Sequence, residues 1–403
     1  MEVGVKREEE MLLGLLSEEL GGVDKSISDE EFSAVNWGDF LALAQAHSVL
    51  SLLYGTFERM GEGMVPDSVW QRTRTVARQT VKQSYRLLFL SKYLLHVLEE
   101  ARIPAVLLKG AATASFYPVP ELRKAGDVDL LLLEEGRLSE CCEILEEKGF
   151  KVMEKQPSLH HVVLQSEDGV EIEIHTMLAE PFDNQRMNQY MEKAAAECRG
   201  HVCTADMMGI SLPMLDAPCH AYELLLHMLQ HFLRSGFGLK LLCDWVVFWN
   251  REENRREAAK YLFMVRESGI KGFSDMVSLA SFRYLGLSGE AKECLDVTGE
   301  YDAEAFMEEI LSAEEFGKSA PERMVALRGN GIADYVREFH HQMHLNFPKS
   351  GRCFLLWPFL WTVTLFRFLR NNRKVRRTSV FAVFKTAGQR GKIMKQIGLW
   401  KNR

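Results

Sequence analysis

Residues 127–133 read Asp-Val-Asp-Leu-Leu-Leu-Leu, two carboxylates at the mouth of an unbroken apolar run. Bounded by Gly126 and by Glu134-Glu135-Gly136, the run is too short for a helix of ordinary length and too apolar for an exposed strand. It predicts a strand buried inside a sheet. Side chains alternate between the two faces of a strand, so Asp127 and Asp129 share one face. Two carboxylates there repel unless a cation lies between them. Mg²⁺ prefers hard oxygen ligands and leaves positions for phosphate oxygens, so it is the expected cation.

The neighbouring segments extend the pattern. Ile-Pro-Ala-Val-Leu-Leu-Lys-Gly at 103–110 is a short apolar run between proline and glycine, which predicts a buried strand over Ala105–Leu108. A short helix (AATASFY), a loop (PVPELRKAG) and the Asp127 strand follow, then an amphipathic helix from Glu135 to Lys148 that stops at Gly149. KVMEK predicts a strand, and HHVVLQ and VEIEIH joined by SEDG predict a hairpin. Before this stretch, Met11, Leu12, Leu15, Leu16 and Leu20 recur at helical spacing; after about Asp206 the periodicity is helical again. The expected fold is α+β, a small mixed sheet flanked by helical regions. The expected divisions are 1–100, 101–205, 206–345 and a tail, 346–403.

In VEIEIH, Val170, Ile172 and Ile174 face one way while Glu171, Glu173 and His175 face the other. If this strand neighbours the Asp127 strand, a third carboxylate joins the pair. Lys109-Gly110 ends a strand and opens a helix. Glycine allows close backbone approach to a phosphate, the helix start offers free N–H groups, and Lys109 adds charge. Arg123 precedes the acidic pair with a fork of donors suited to phosphate. Such a metal-plus-phosphate site is what in-line phosphoryl or nucleotidyl transfer requires.

Other polar residues compete for attention. His160 and His161 begin one hairpin strand and His175 ends its partner; a three-histidine zinc site is conceivable, although no tight spacing supports it. One of these histidines, with His175 the candidate, is expected to orient a carboxylate or contact phosphate. His227 and His231 stand four apart on a helix, but HMLQH lacks the zincin glutamate, so the expectation is a packed helix face. Asp244, within LLCDWVVFW, is either capped by a basic partner or faces the site. GQRGK near Gly388 lacks the spacing of a P-loop.

The composition, 403 residues with 47% hydrophobic and 26% charged, is that of a soluble globular protein. Eight cysteines are too sparse for a disulfide scaffold and are expected to be thiols, and the start does not resemble a signal peptide, so a cytoplasmic setting is expected. The formal charge of −7 argues against general nucleic-acid binding, but it hides an asymmetry. Residues 339–403 hold 14 basic and no acidic residues, leaving −21 on residues 1–338. Within that tail, Cys353–Phe366 is apolar but too short to span a membrane, and Pro358 is expected to interrupt it. Three readings stay open: an anchor on the anionic inner face of a membrane, RNA binding, or a tail helix packed on the acidic body.

The segment from about Ile103 to Leu178 resembles nucleotidyltransferases of the DNA polymerase β superfamily. More narrowly, LLKGAATASFYP, LRKAGDVDLLL and VEIEIHTML resemble the bacterial family known as uncharacterised nucleotidyltransferases, with a fainter echo in HMLQHFLRSGFGLKLLCDW. The resemblance implies Asp127, Asp129 and Glu173 as catalytic ligands for two Mg²⁺ ions. It implies Gly110 as the triphosphate-turn glycine, with Lys109, Arg123 and His175 as further nucleotide-binding candidates. Many superfamily members carry serine after the turn glycine, whereas Ala111 stands here, which moves the phosphate contact to Lys109 and the backbone. The implied reaction moves a nucleoside monophosphate from a triphosphate such as ATP to an acceptor. The alternatives are a non-catalytic nucleotide-binding scaffold and a toxin-like enzyme that modifies tRNA.

Overall fold

The structure, a computed structural model, describes residues 6–22, 29–61, 63–153, 161–182, 184–234, 236–313, 340, 343, 347, 356–371 and 390–398. An N-terminal set of helices comprises α1 (Arg7–Gly21), α2 (Asp29–Ser33), α3 (Trp37–Ala46), α4 (Tyr54–Met60) and α5 (Asp67–Glu100). The α/β segment follows as β1 (Ala105–Leu107), α6 (Lys109–Ala114), β2 (Asp127–Leu132), α7 (Leu138–Glu147), β3 (Lys151–Val152), β4 (His161–Gln165) and β5 (Glu171–His175). Then come α8 (Gln185–Cys198), β6 (Val202–Met207) and β7 (Ile210–Leu215). The second helical set is α9 (Ala217–Arg234), α10 (Leu239–Trp249), α11 (Glu252–Arg255), α12 (Ala258–Glu267), α13 (Lys271–Tyr284), α14 (Gly289–Cys294) and α15 (Ala303–Ala313). Near the C terminus lies α16 (Trp357–Asn371). The fold is α+β with a mixed sheet, as the sequence predicts.

The seven strands lie in the order β3-β4-β5-β2-β1-β7-β6. β2 is central, and every residue after Asp127 in it is buried, which is why it reads as an unbroken apolar run. It pairs antiparallel with β1 and parallel with β5, while β4 and β5 form the expected hairpin. The chain returns to helix at Ala217 rather than near Asp206, because β6 and β7 form a second hairpin. β6 is an edge strand with only Ala205 and Met207 buried, so its sequence lacks a regular apolar alternation.

Two hydrophobic cores hold the chain. One packs the sheet against α6, α7 and the second half of α5, through Leu87, Leu88, Leu94 and Leu98. The other joins α1 and α3 to α9, α10, α13 and α15, and takes in Val69 and Ala77 from the first half of α5. At 34 residues, or about 50 Å, α5 is long enough to serve both.

Two expectations are corrected. Cys198 and Cys219 are disulfide-bonded, with Cα atoms 5.6 Å apart, fastening the end of α8 to the start of α9. The two residues are 21 apart in sequence and meet only because the β6–β7 hairpin folds the intervening chain back. Pro358 does not break the described part of its apolar segment; it is the second residue of α16, where a missing N–H costs nothing, and residues 353–355 lie outside the described residues. No helix among the described residues is long and apolar enough to cross a membrane.

Part of the basic tail is packed on the body. Arg390 is buried, pairs with Glu309 at 3.2 Å and donates to the Phe232 carbonyl, while Ile393, Met394 and Ile397 enter the helical core. Their seat requires a glycine: a Cβ on Gly272 would lie 2.3 Å from the Ile397 carbonyl oxygen. Residues 372–389, which hold much of the tail's charge, lie outside the described residues.

Candidate active site

The parallel register of β2 and β5 builds the centre of the site. Asp127 stands opposite Glu171 and Asp129 opposite Glu173, so alternation on both strands turns four carboxylates toward one face of the sheet. The same face receives His175 from β5 and His161 from β4, which are cross-strand partners with ring centroids 5.4 Å apart. His160 lies outside the described residues. These side chains line a cleft of about 550 Å³ closed on its far side by α9 and α10.

Between β1 and α6 the backbone makes an unusual turn. Lys109 has φ 36° and Gly110 has φ 41° with ψ −117°, a geometry open to glycine and strained for lysine. The turn places the Lys109 ammonium 2.8 Å from Asp129. On its other side, Nε2 of His175 lies 2.9 Å from the same Asp129 oxygen and 3.2 Å from Glu173. Asp129 and Glu173 thus meet on one imidazole nitrogen.

The charges respond accordingly. Burial alone would raise the Asp129 carboxyl, but Lys109 and His175 outweigh it and hold the group far below its ordinary range. Burial likewise opposes ionisation of Glu173, yet the bond to His175 brings its pKa down. His175 is pushed up despite burial, because Asp129 and Glu173 both favour the imidazolium. Asp127 behaves differently: burial and the neighbouring Asp129 raise its pKa, and it receives no hydrogen bond or ion pair from the described residues.

Arg123 does not present its fork to the cleft. Its Nε and one terminal nitrogen bind the two oxygens of Asp244, each at 2.7 Å, and the other donates to the Gly110 carbonyl at 3.2 Å. Tyr117 adds a 2.7 Å hydrogen bond to the same carboxylate. Arg123 therefore braces the Lys109–Gly110 turn from behind, and of the two expectations for Asp244 the basic cap is the one realised. Burial would lower the pKa of Arg123, but Asp244 more than reverses this.

Helix α9 supplies residues that the sequence reading did not assign to the site. His227, Gln230, His231 and Arg234 line the cleft at helical spacing, joined by Lys240 of α10. Burial, with Lys109 nearby, drives His227 well below its ordinary value, and burial with Lys109 and Lys240 lowers His231 to about 4, so both rings are neutral. One turn earlier, Glu223 is fully buried and its Oε2 lacks a partner among the described residues; burial pushes its carboxyl up to about 7. A polar stripe at i, i+4, i+8 and i+11 on an otherwise apolar helix was the available signal.

Among solved structures, an antigenic nucleotidyltransferase-like protein from Paracoccidioides brasiliensis is similar at 13% identity, with 54% of this chain and 95% of that chain covered and a TM-score of 0.32. No curated protein matches the chain. The family model described as uncharacterised nucleotidyltransferase matches residues 33–283, a span that takes in α3, the whole sheet and the helices closing the cleft, and the chain belongs to that family.

Proposed function

We propose that the chain is a divalent-metal-dependent nucleotidyltransferase of the polymerase β-like superfamily, using a nucleoside triphosphate and a hydroxyl-bearing acceptor. The observation that carries this reading is that the Asp127 carboxylate has no hydrogen-bonding or ion-pair partner among the described residues. Of Asp127, Asp129 and Glu173 on this sheet face, it is the one that receives no donor from the described residues, while Lys109 and Lys240 act on it only through space. A half-buried carboxylate crowded by Asp129 is destabilised until something positive arrives, so the donor set fits a bound cation.

Asp127, Asp129 and Glu173 would hold two Mg²⁺ ions. Bound there, the metal supplies charge neutralisation for the attacking and leaving oxygens. The turn at Lys109–Gly110 brings backbone close to where a triphosphate would lie, and Arg123 keeps that turn in place. The acceptor hydroxyl attacks the α-phosphorus, the bond to the β-phosphate oxygen breaks, and pyrophosphate leaves. Glu173 stands at the acceptor side and takes the hydroxyl proton. His175 holds Glu173 and Asp129 in register, and the neutral His227 and His231 wall the cleft without adding charge.

One observation favours a second reading, a scaffold that binds nucleotide without turnover. Lys109 is bound to Asp129, and Ala111 stands where a phosphate-binding serine would be. Both readings are tested by incubating the full chain with each α-³²P-labelled NTP, Mg²⁺ and cell lysate. Label on an acceptor, reduced by at least about 10³-fold in Asp127→Asn/Asp129→Asn, supports the enzyme. Mg²⁺-dependent nucleotide binding without labelling supports the scaffold, and labelling unchanged in the double variant overturns the catalytic assignment.

A further inference from the structure

The hairpin β4–β5 gathers a second donor set beside the aspartates. Glu173 and His175 are two apart on β5 and share a face, and His161 stands directly across from His175 on β4. The three side chains bring one ligand atom each to within 4.8 Å of one another. Three ligands about 2.0–2.2 Å from a common ion lie roughly 3.3–4.3 Å apart, so modest side-chain rotation closes the site. Two imidazoles and one carboxylate form a borderline set. It suits Zn²⁺, Co²⁺, Fe²⁺ or Mn²⁺ far better than Mg²⁺, which prefers oxygen.

We propose that His161, Glu173 and His175 bind a transition-series divalent cation, so that the cleft takes two kinds of metal. Three protein ligands leave a position open toward the cleft, the pattern of reactive rather than purely structural sites. Asp127, Asp129 and Glu171 line the same cleft and offset the positive charge that Lys109 and Lys240 bring to it. A cation on His175 Nε2 would take the place of the proton that this nitrogen now shares with Asp129 and Glu173. The proposal shares Glu173 with the reading above but does not require nucleotidyl transfer.

The test uses the full chain stripped of metal by chelator and dialysed into Mg²⁺-containing buffer. Co²⁺ is added and visible absorption is recorded, and Zn²⁺ affinity is measured against a zinc indicator. The expected result is an intense four- or five-coordinate Co²⁺ spectrum, displaced by Zn²⁺ and retained in excess Mg²⁺. His161→Ala should weaken Co²⁺ and Zn²⁺ binding by at least roughly tenfold, since even outer-shell losses cost that much. His161→Gln is the second variant, with circular dichroism and melting establishing that each variant is folded. Asp127→Asn, which removes none of the three ligands, should keep the Co²⁺ spectrum. Wild-type-like binding in folded His161 variants overturns the proposal, as does loss of the spectrum in Asp127→Asn alone. If Asp127→Asn keeps both the spectrum and Mg²⁺-dependent nucleotide binding, the nucleotidyltransfer reading fails while this one stands.

Discussion

Two buried charge clusters lie on either side of the Lys109–Gly110 turn, and they are built differently. Behind the turn, Arg123 and Asp244 satisfy one another with two parallel bonds, Tyr117 takes a remaining lone pair, and Gly110 takes a remaining proton. In front of it, Asp129 and Glu173 bond Lys109 and His175, and Asp127 has no donor among the described residues. Exposure differs in degree, Arg123 and Asp244 being 5% and 1% exposed and Lys109 and Glu173 14% and 26%, yet Asp129 is as buried as the pair behind, so burial alone does not mark a functional group. What separates the clusters is saturation: a buried polar network whose valences are all met supports the fold, and one with a surplus of a single sign has room for a ligand.

The comparison breaks first at its rigid half. Asp244→Ala leaves the Arg123 guanidinium buried and unpaired, and should cost about 3–5 kcal/mol in urea or thermal unfolding. A loss under 1 kcal/mol would show that the pair does not brace the turn. Next is Asp129→Asn, which removes the shared anion of Lys109 and His175; about 1–3 kcal/mol should be lost in metal-free buffer. Asp127→Asn should move the other way and stabilise the metal-free chain by roughly 0.5–1 kcal/mol, because it relieves like-charge repulsion. Opposite signs for two aspartates two residues apart would be a sharp result, and equal signs would refute the distinction.

The smallest effect is a pH dependence. The raised pKa of His175 means its contribution is complete below its unfolded value of 6.5 and is lost as pH rises through the folded value. The lowered Asp129 and Glu173 contribute above their unfolded values of 3.8 and 4.5, and lose that contribution as pH falls. The cluster should therefore stabilise most between about pH 4.5 and 6.5. Melting temperatures of metal-free protein should fall more steeply from pH 6 to 9 in wild type than in His175→Gln. Parallel curves would mean that His175 does not carry the proton.

Much of this cleft was legible in the chain because period-2 alternation is local. Asp127 with Asp129, and Glu173 with His175, declare a common face without knowledge of the rest of the molecule. The parallel pairing of β2 with β5 needed only the hairpin and one crossover. What stayed hidden depends on distant packing. Arg123 offers the same donors to phosphate or to Asp244, and only the docking of α10 decides between them. The α9 stripe looked like a packed face because the carboxylates of β2 and β5 opposite it lie about 50 or more residues away in sequence. The β6–β7 hairpin hid behind an exposed edge, and the Cys198–Cys219 bond depended on that hairpin.

The seat of residues 390–397 against Gly272 has a bearing on synthesis. The core that receives Ile393 and Ile397 also contains Leu12 and Leu16 of α1. Nearly the whole chain must therefore emerge from the ribosome before this core can close. The sheet, complete by Leu215, is available much earlier. A nascent chain paused between these points would carry a folded cleft beside exposed apolar helices, the state most in need of a chaperone. Loss of residues 390–397 would then expose the chain to quality control before any loss of activity was felt.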